Sequence, residues 1–387
     1  MKRIHRLKKD IDETPDWLKK KKYPNKHRYL SGERIFPPGL TGKETVGSLV
    51  DGVFLAYNAA RLREGCRLFV EKMLKPDVTI GMSLAGAMTP AGLGKAVIVP
   101  LMKAGFIDWM VSTGANLYHD LHYAFNLKLH VGSSLVDDAD LRKNDVVRIY
   151  DILLGYTDCL MATDNILREI FKQPEFQKEM GTAEFHNLLG KYAAEWERKT
   201  KCKDTSLLAC AYRLGIPIYT SSPGDSTLGM NIAEAEINGS KIRINPAIDV
   251  NETTAYVLAA KRTGGKSGVL LIGGGSPKNF ILQTEPQIQE VLRIKEVGHD
   301  YFFQITDARP DTGGLSGATP HEAVSWGKID PTRLPDAVVC YLDATVGFPI
   351  VAHYALAKHA KRRVKGLYYK REKYVGNLVR EYFAHNK

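Results

Sequence analysis

"VTIGMSLAGAMTPAGLGKAVIVPLMKAGFIDWMVST", residues 78–113, decides the fold. "VTIGMS" (78–83) is a short apolar run with a glycine and a serine at its end, and it reads as a buried strand. "GLGKAVIVPLMKAG" (92–105) has helical apolar spacing and stops at Gly105, and "IDWMVST" (107–113) is a second strand. Strand, helix and strand in this order predict two parallel strands joined by a helical crossover. The pattern continues outward. "GANLYHDLHYAF" follows the second strand as a helix, and residues 138–214 are rich in helical spacing. Strand signals return at 216–221, 268–274, 301–306 and 337–343, each followed by a helical stretch. On the N-terminal side, 44–75 is helical, and the first 40 residues read as an extended arm ending at "FPPGL". The expected class is α/β, a mostly parallel sheet with helices on both faces and an N-terminal extended or helical arm.

Five strand ends carry small or polar residues: Gly81 to Ser83, Ser112 to Gly114, Gly273 to Gly275, Thr306 to Ala308, and Asp343 to Thr345. In an open α/β sheet, ligands bind at the carboxyl ends of the strands, so these five ends predict one crevice.

Charge is uneven along the chain. Residues 1–34 hold 12 basic and 5 acidic residues, and 358–387 hold 10 and 2, against a net +11 for the whole. The body between them is therefore mildly acidic. Basic ends can dock acidic partners or nucleic acid, or can be plain solvated surface. Neither end interleaves aromatic and basic residues as an RNA-binding sheet does, so nucleic acid is not expected. The N-terminal stretch lacks an apolar core for a secretory signal, and no run reaches the roughly 18 apolar residues of a membrane span. Five scattered cysteines without a C-x-x-C pair fit reduced thiols in the cytoplasm.

Several stretches offer chemistry. "LLIGGGSPKNF" (270–280) places three glycines between a strand and a helix start near Pro277. Such glycines let backbone N–H groups approach a phosphate, and they equally suit a tight turn. His119 and His122 have metal-ligand spacing but no supporting carboxylate or cysteine cluster, so no metal is expected. Asp225 in "SSPGDSTLGM" (221–230) suits a ribose hydroxyl or an Asx-turn. "HEAVSWGKID" (321–330) sets Lys328 behind Trp326 and Gly327, in a part of the chain that otherwise reads as buried. Nucleophile-elbow, zincin and kinase signatures are absent.

"GLSGATPHEAVSWGKI", the glycine triplet before "PKN", the Thr-Gly-Ala strand end and "DAT" together resemble deoxyhypusine synthase and its bacterial homologues, over about residues 45–360. The resemblance implies a Rossmann-like NAD-binding fold spanning 44–361, between a basic arm (1–43) and a basic tail (362–387). It implies a homotetramer and an aminobutyl transfer from spermidine through an imine on Lys328. The acceptor is a protein lysine, giving deoxyhypusine, or a small amine, as in homospermidine-forming relatives. Glu322, Trp326, His119 and Gly314 are the implied polyamine-binding residues. Ser83, Gly86, Thr89, Thr113, Gly114, Ala115, Asp225, Gly274, Asp307, Ala308, Asp343 and Ala344 are the implied NAD-binding residues. A lysine nucleophile has to be neutral, which partial burial favours, and Trp326 offers a π face to a cation. The departures lie in polyamine recognition: Met230 and Leu315 stand for aspartates, His119 for a glutamate, and Asn279 for a histidine. A non-catalytic NAD-binding protein and a plain dehydrogenase are the other readings. Glu322, Trp326 and Lys328 speak against the first, and the lack of a separate proton relay speaks against the second.

Overall fold

Strand β1, Val78–Leu84, is buried at all seven positions. Its run, apolar apart from Thr79 and Ser83, is what a strand covered on both faces requires. The computed structural model describes residue 22 and residues 24–385. Ten further strands follow: β2 (Trp109–Ser112), β3 (Leu129–Val131), β4 (Val146–Ile149), β5 (Ile152–Gly155), β6 (Glu179–Met180), β7 (Ile218–Thr220), β8 (Arg243–Ile244), β9 (Lys266–Ile272), β10 (Tyr301–Thr306) and β11 (Ala337–Tyr341). Five of these join β1 in one six-stranded sheet in the order β11-β10-β9-β1-β2-β7, parallel throughout.

The chain runs outward from β1 through β2 to β7. It then returns to β9, on the other side of β1, and runs outward again through β10 and β11. The direction therefore reverses between β1 and β9, where Ser83 pairs in register with Leu271. A doubly wound sheet opens its ligand crevice at such a reversal, beyond the carboxyl ends of the strands. Alternate residues feed two cores. Met110, Leu270, Ile272, Phe303 and Ile305 pack on one face, and Trp109, Val111, Val269, Leu271 and Phe302 on the other. The expected α/β class with helices on both faces is the observed one.

The crossover after β1 is helical, Gly94–Ile98 continuing as Val99–Lys103, and it stops at Gly105 with φ +73. A Cβ there would stand 2.5 Å from the Arg362 carbonyl. Residues 146–155, inside the stretch 138–214 expected to be helix-rich, hold β4 and β5 instead, and β5 pairs with residues 129–131. They form a three-stranded antiparallel sheet, β3-β5-β4, with Tyr150 at φ +56 in the β4–β5 turn. Its strands are three or four residues long and partly exposed, too short for a clear alternation.

Two compact units divide the chain, Met1–Gly39 and Leu40–Lys387. In the first, the described residues make one helical turn, Lys26–Tyr29, and are exposed. Most of the basic arm, residues 1–21 and 23, lies outside the described residues. The segment from 362, expected as a basic tail, packs into the second unit. Arg362 and Lys365 reach the buried carboxylate of Asp108 at 3.4 and 3.7 Å. Helix Arg371–His385 is fastened to helix Pro246–Arg262 by the Arg262–Glu381 pair at 2.8 Å. Among the described residues, no helix is long and apolar enough to cross a membrane.

Candidate active site

Lys328 owes its position to the way one short helix ends. Thr319 caps helix Pro320–Ser325 by accepting from the Glu322 N–H at 3.2 Å. At the other end Gly327 adopts φ +65. The Gly327 N–H donates to the Val324 carbonyl at 3.0 Å, and the Lys328 N–H to the Ala323 carbonyl at 2.9 Å. This pair of bonds is a Schellman stop, which needs a residue in the left-handed region at the glycine position. The Lys328 carbonyl in turn accepts from the His299 N–H at 3.0 Å. The Lys328 backbone is thus held on both sides. Gln289 closes the arrangement, donating to the Gly327 carbonyl at 2.8 Å and to Glu285 at 3.2 Å.

The Lys328 side chain enters a cavity of about 280 Å³, lined by Lys278, Asn279, Leu282, Gln283, Phe302, Leu315, Ala318, Glu322, Ala323 and Trp326 besides itself. Its ammonium nitrogen donates to Asn279 Oδ1 at 3.1 Å and lies 5.7 Å from the centre of the Trp326 ring. Burial lowers the Lys328 pKa from the usual lysine value, and the carboxylates of Glu322 and Glu290 oppose that shift. Lys278 is more deeply buried. Its nitrogen donates to the carbonyls of Ala318 at 2.7 Å and Ser316 at 3.2 Å. Burial pushes its pKa down to about 8. Two lysines therefore share the cavity. One grips the loop before the 320–325 helix, and the other points its nitrogen at a side-chain amide.

His119 and Gly314 do not line this cavity. His119 Nδ1 faces His122 Nε2 at 3.0 Å, and His122 Nδ1 faces the Thr163 hydroxyl at 2.8 Å. Burial pulls the two imidazoles down to about 4 and about 3. Among the described residues, no group of three or more His, Cys, Asp or Glu side chains is placed to hold a metal. Gly314 is exposed and precedes Leu315, which does line the cavity. Met230, 67% exposed, lies outside it.

The other expected residues line up along the strand ends. Ser83 is fully buried at the end of β1, and its hydroxyl has no partner among the described residues. The Gly86 carbonyl accepts from the Thr113 hydroxyl at 2.5 Å and from Asn116 Nδ2 at 3.1 Å. Thr89 donates to the Asn116 carbonyl at 2.6 Å, so its hydroxyl holds the loop. Gly114 and Ala115 open helix Gly114–Ala124, and a Cβ on Gly114 would lie 2.3 Å from Ser226 Oγ, beside Asp225. Ser222 approaches Ser276 at 3.3 Å, joining the Asp225 loop to the helix after the glycines. The Gly274 Cβ direction is filled by Ser316 at 2.5 Å, so this glycine admits the loop that Lys278 grips. Asp225 and Asp307 are exposed, and their carboxylates have no hydrogen bond or ion pair among the described residues. Ala308 follows at the same rim, its N–H donating to Thr306 at 3.2 Å. Asp343 caps helix Ala344–Lys358, accepting from the Thr345 N–H at 2.9 Å, with Ala344 buried beneath it.

The orphaned Ser83 hydroxyl, the two unpaired carboxylates and the reversal of strand order fit a dinucleotide laid across this crevice. Asn116 carries a role that the sequence did not reveal. Its side chain binds the carbonyls of Ala85 and Gly86 and the N–H groups of Met88 and Thr89. An asparagine buried in a helix, with partners about 30 residues earlier, leaves no local pattern.

Comparison with known proteins identifies the family. The family model described as "Deoxyhypusine synthase" matches residues 52–355. A "Deoxyhypusine synthase-like protein" of Nostoc punctiforme is 54% identical over 353 residues, covering 91% of this chain and 90% of its own. A "Probable deoxyhypusine synthase 2" of Methanosarcina acetivorans is 38% identical, covering 84% and 91%. The crystal structure of a candidate deoxyhypusine synthase from Entamoeba histolytica superposes with a TM-score of 0.51 at 13% identity. It covers 86% of this chain and all of its own, and supports the fold alone. By its match across the sheet and the lysine-bearing segment alike, this chain belongs to the deoxyhypusine synthase family.

Proposed function

We propose that the protein is an NAD-dependent aminobutyl transferase, carrying the four-carbon aminobutyl group of spermidine through an imine on Lys328 to an acceptor amine. The observation that carries this reading is the Lys328 amine, its pKa lowered by burial, fixed between Asn279 and Trp326 in a cavity that also holds Glu322. Bound NAD would supply reversible hydride transfer to this site. Ser83, the Thr113 to Ala115 turn, Asp225 and Asp307 would hold it, with Gly86, Gly274, Ala308, Asp343 and Ala344 forming the walls of the crevice.

The protein's own groups do the rest. Trp326 and Glu322 receive the cationic end of the donor. Neutral Lys328 adds to the donor's C=N carbon, diaminopropane leaves, and the lysine keeps the aminobutyl group as an imine. The names of the Nostoc and Methanosarcina relatives favour a protein lysine as acceptor. Asn279 and Leu315 in the cavity favour a small amine, because Glu322 is the carboxylate that remains there to bind cations. A homotetramer belongs to this reading, and so does the cytoplasm, where the five free cysteines stay reduced.

The test is incubation with NAD and labelled spermidine, borohydride reduction and peptide mapping. Label is expected on the peptide containing Lys328, and Lys328→Ala should lose transfer by several orders of magnitude. Label on Lys278 instead, or transfer by Lys328→Ala, would overturn the assignment.

A further inference from the structure

Two carbonyls bracket the Lys328 Cα, those of Gly327 and of Lys328 itself. The first accepts from Gln289 Nε2 at 2.8 Å and the second from the His299 N–H at 3.0 Å. Both donors lead back to Lys261, near the end of helix Pro246–Arg262. Resting on the function proposed above, we infer that Lys261 is a positioning residue for Lys328, acting along two hydrogen-bonded routes, one through Glu285 and Gln289 and one through the Gly298–His299 peptide group. Lys261 does not line the Lys328 cavity, so it acts through these bonds and not on substrate.

The first route depends on charge. Gln289 spends its two amide hydrogens on the Gly327 carbonyl and on Glu285 Oε2, at 3.2 Å. A carbonyl and a carboxylate both accept and neither donates, so Nε2 has to face them both. That orientation needs Glu285 ionised. Glu285 is fully buried, and burial pushes its carboxyl up to about 7, a shift that the Lys261 charge opposes. Lys261 Nζ stands 3.3 Å from Glu285 Oε1, an oxygen without a hydrogen bond among the described residues. His299 Nδ1 lies 4.0 Å from the same oxygen and brings no charge, because burial and Lys261 pull its imidazole down to about 3. Without Lys261 the Glu285 carboxyl would take up a proton and become a donor. Gln289 would then offer it Oε1, and its Nε2 would leave the Gly327 carbonyl.

The second route is shorter. Lys261 Nζ donates to the Gly298 carbonyl. That carbonyl and the His299 N–H belong to one peptide group, so the cation on its oxygen polarises the N–H that the Lys328 carbonyl accepts. Gly298 makes the approach possible, with φ +104 and the Ile329 carbonyl carbon only 2.5 Å from where a Cβ would stand. Glu296, at 3.2 Å, receives a further Lys261 proton. Burial works against the Lys261 ammonium, but Glu285, Glu296 and Asp300 outweigh it and raise its pKa. The cation at the junction of the two routes is therefore permanent at neutral pH.

The experiment uses the full chain with NAD and labelled spermidine, and follows the rate constant for forming the borohydride-trapped Lys328 adduct before steady state. Lys261→Met should lower that rate constant about tenfold at saturating spermidine and leave the half-saturating concentration unchanged. Gln289→Leu, which cuts one route and keeps the ion pair, should lower it about threefold. Lost folding would reduce the amount of adduct but not its rate constant. Lys261→Met with Glu285→Gln should regain about threefold over Lys261→Met alone, because an amide oxygen at 285 still accepts from Gln289 and needs no cation. Amide hydrogen exchange reads the routes without catalysis. The His299 and Lys328 N–H groups should exchange about tenfold faster in Lys261→Met, with β1 unchanged. Unchanged rate constants in Lys261→Met and Gln289→Leu would overturn the inference, and Gln289→Leu decides alone if Lys261→Met does not fold. Should the unaltered protein form no Lys328 adduct, the function above fails, and hydrogen exchange alone decides the role of Lys261.

Discussion

The lysine nitrogen at 328 has one side-chain hydrogen bond, to an amide oxygen, and both carboxylates that act on it favour its charged form. Burial works the other way and prevails, so the net shift is downward. Neutral nucleophile therefore appears at a lower pH than for a free lysine, and trapped adduct should increase with pH as Lys328 loses its proton. Glu322→Gln removes a charge that stabilises the ammonium, so the rising limb of that profile should move to lower pH while the KM for spermidine rises. A limb that stays in place would mean that another group titrates. Asn279→Leu removes the oxygen that orients Nζ. Loss of one hydrogen bond to a chargeable group costs about 1–3 kcal/mol, so adduct formation in single-turnover experiments should slow about ten- to a hundredfold. Lys328, Glu322 and Trp326 were legible in the sequence because they sit within seven residues of one another. Asn279, 49 residues from Lys328, was brought to the polyamine site by the resemblance alone, and Gln289, 38 residues from Gly327, became a partner of that segment only through the fold.

At the scale of elements, the junction between helix Pro320–Ser325 and Lys328 depends on one backbone conformation. Gly327 sits at φ +65, and an added Cβ would meet Gln289 Oε1 at 2.6 Å. A left-handed non-glycine residue costs about 1–2 kcal/mol before that clash is counted. Gly327→Ala should therefore lower stability by about 1–3 kcal/mol in urea unfolding and slow Lys328 adduct formation. Adding Gln289→Ala should recover part of the stability, because it removes the clash but not the strain. No recovery in the double variant would show that the side-chain contact is unimportant. The sequence singled out Trp326, Gly327 and Lys328 as a stretch, but not the helix stop that Gly327 makes. The long strands were readable, each being an apolar run ending in small or polar residues. The β3-β5-β4 sheet was not, because its β4–β5 turn uses Tyr150 rather than the Asn-Gly or Asp-Gly that announces a two-residue hairpin. Thr89 and Asp343 were expected to face the cofactor; the Thr89 hydroxyl bonds the Asn116 carbonyl in helix Gly114–Ala124, and the Asp343 carboxylate caps the helix that follows it. Sequence shows that such groups sit at a strand end but not which way they turn.

Across the whole molecule, Asp108 ties the start of β2 to the C-terminal segment. Only 2% exposed, it accepts from the Ile80 N–H at 2.8 Å and faces Arg362 and Lys365. Removing one partner of a buried pair leaves a charge without compensation, at about 3–5 kcal/mol. Asp108→Ala should lose about that much stability by urea unfolding, and a loss below about 1 kcal/mol would show that Arg362 finds water instead. The basic C-terminal stretch thus earns part of its charge as internal ion pairing, which a count of lysines and arginines could not separate from solvated surface. The winding order of the sheet has a further bearing, on biosynthesis. β1 lies between β2, which follows at once, and β9, which begins at Lys266. A ribosome moving at about 5–20 residues per second needs on the order of ten seconds to travel from one to the other. For that interval the nascent chain carries an apolar strand with an open edge, the kind of surface that chaperones bind and that aggregates when they are scarce.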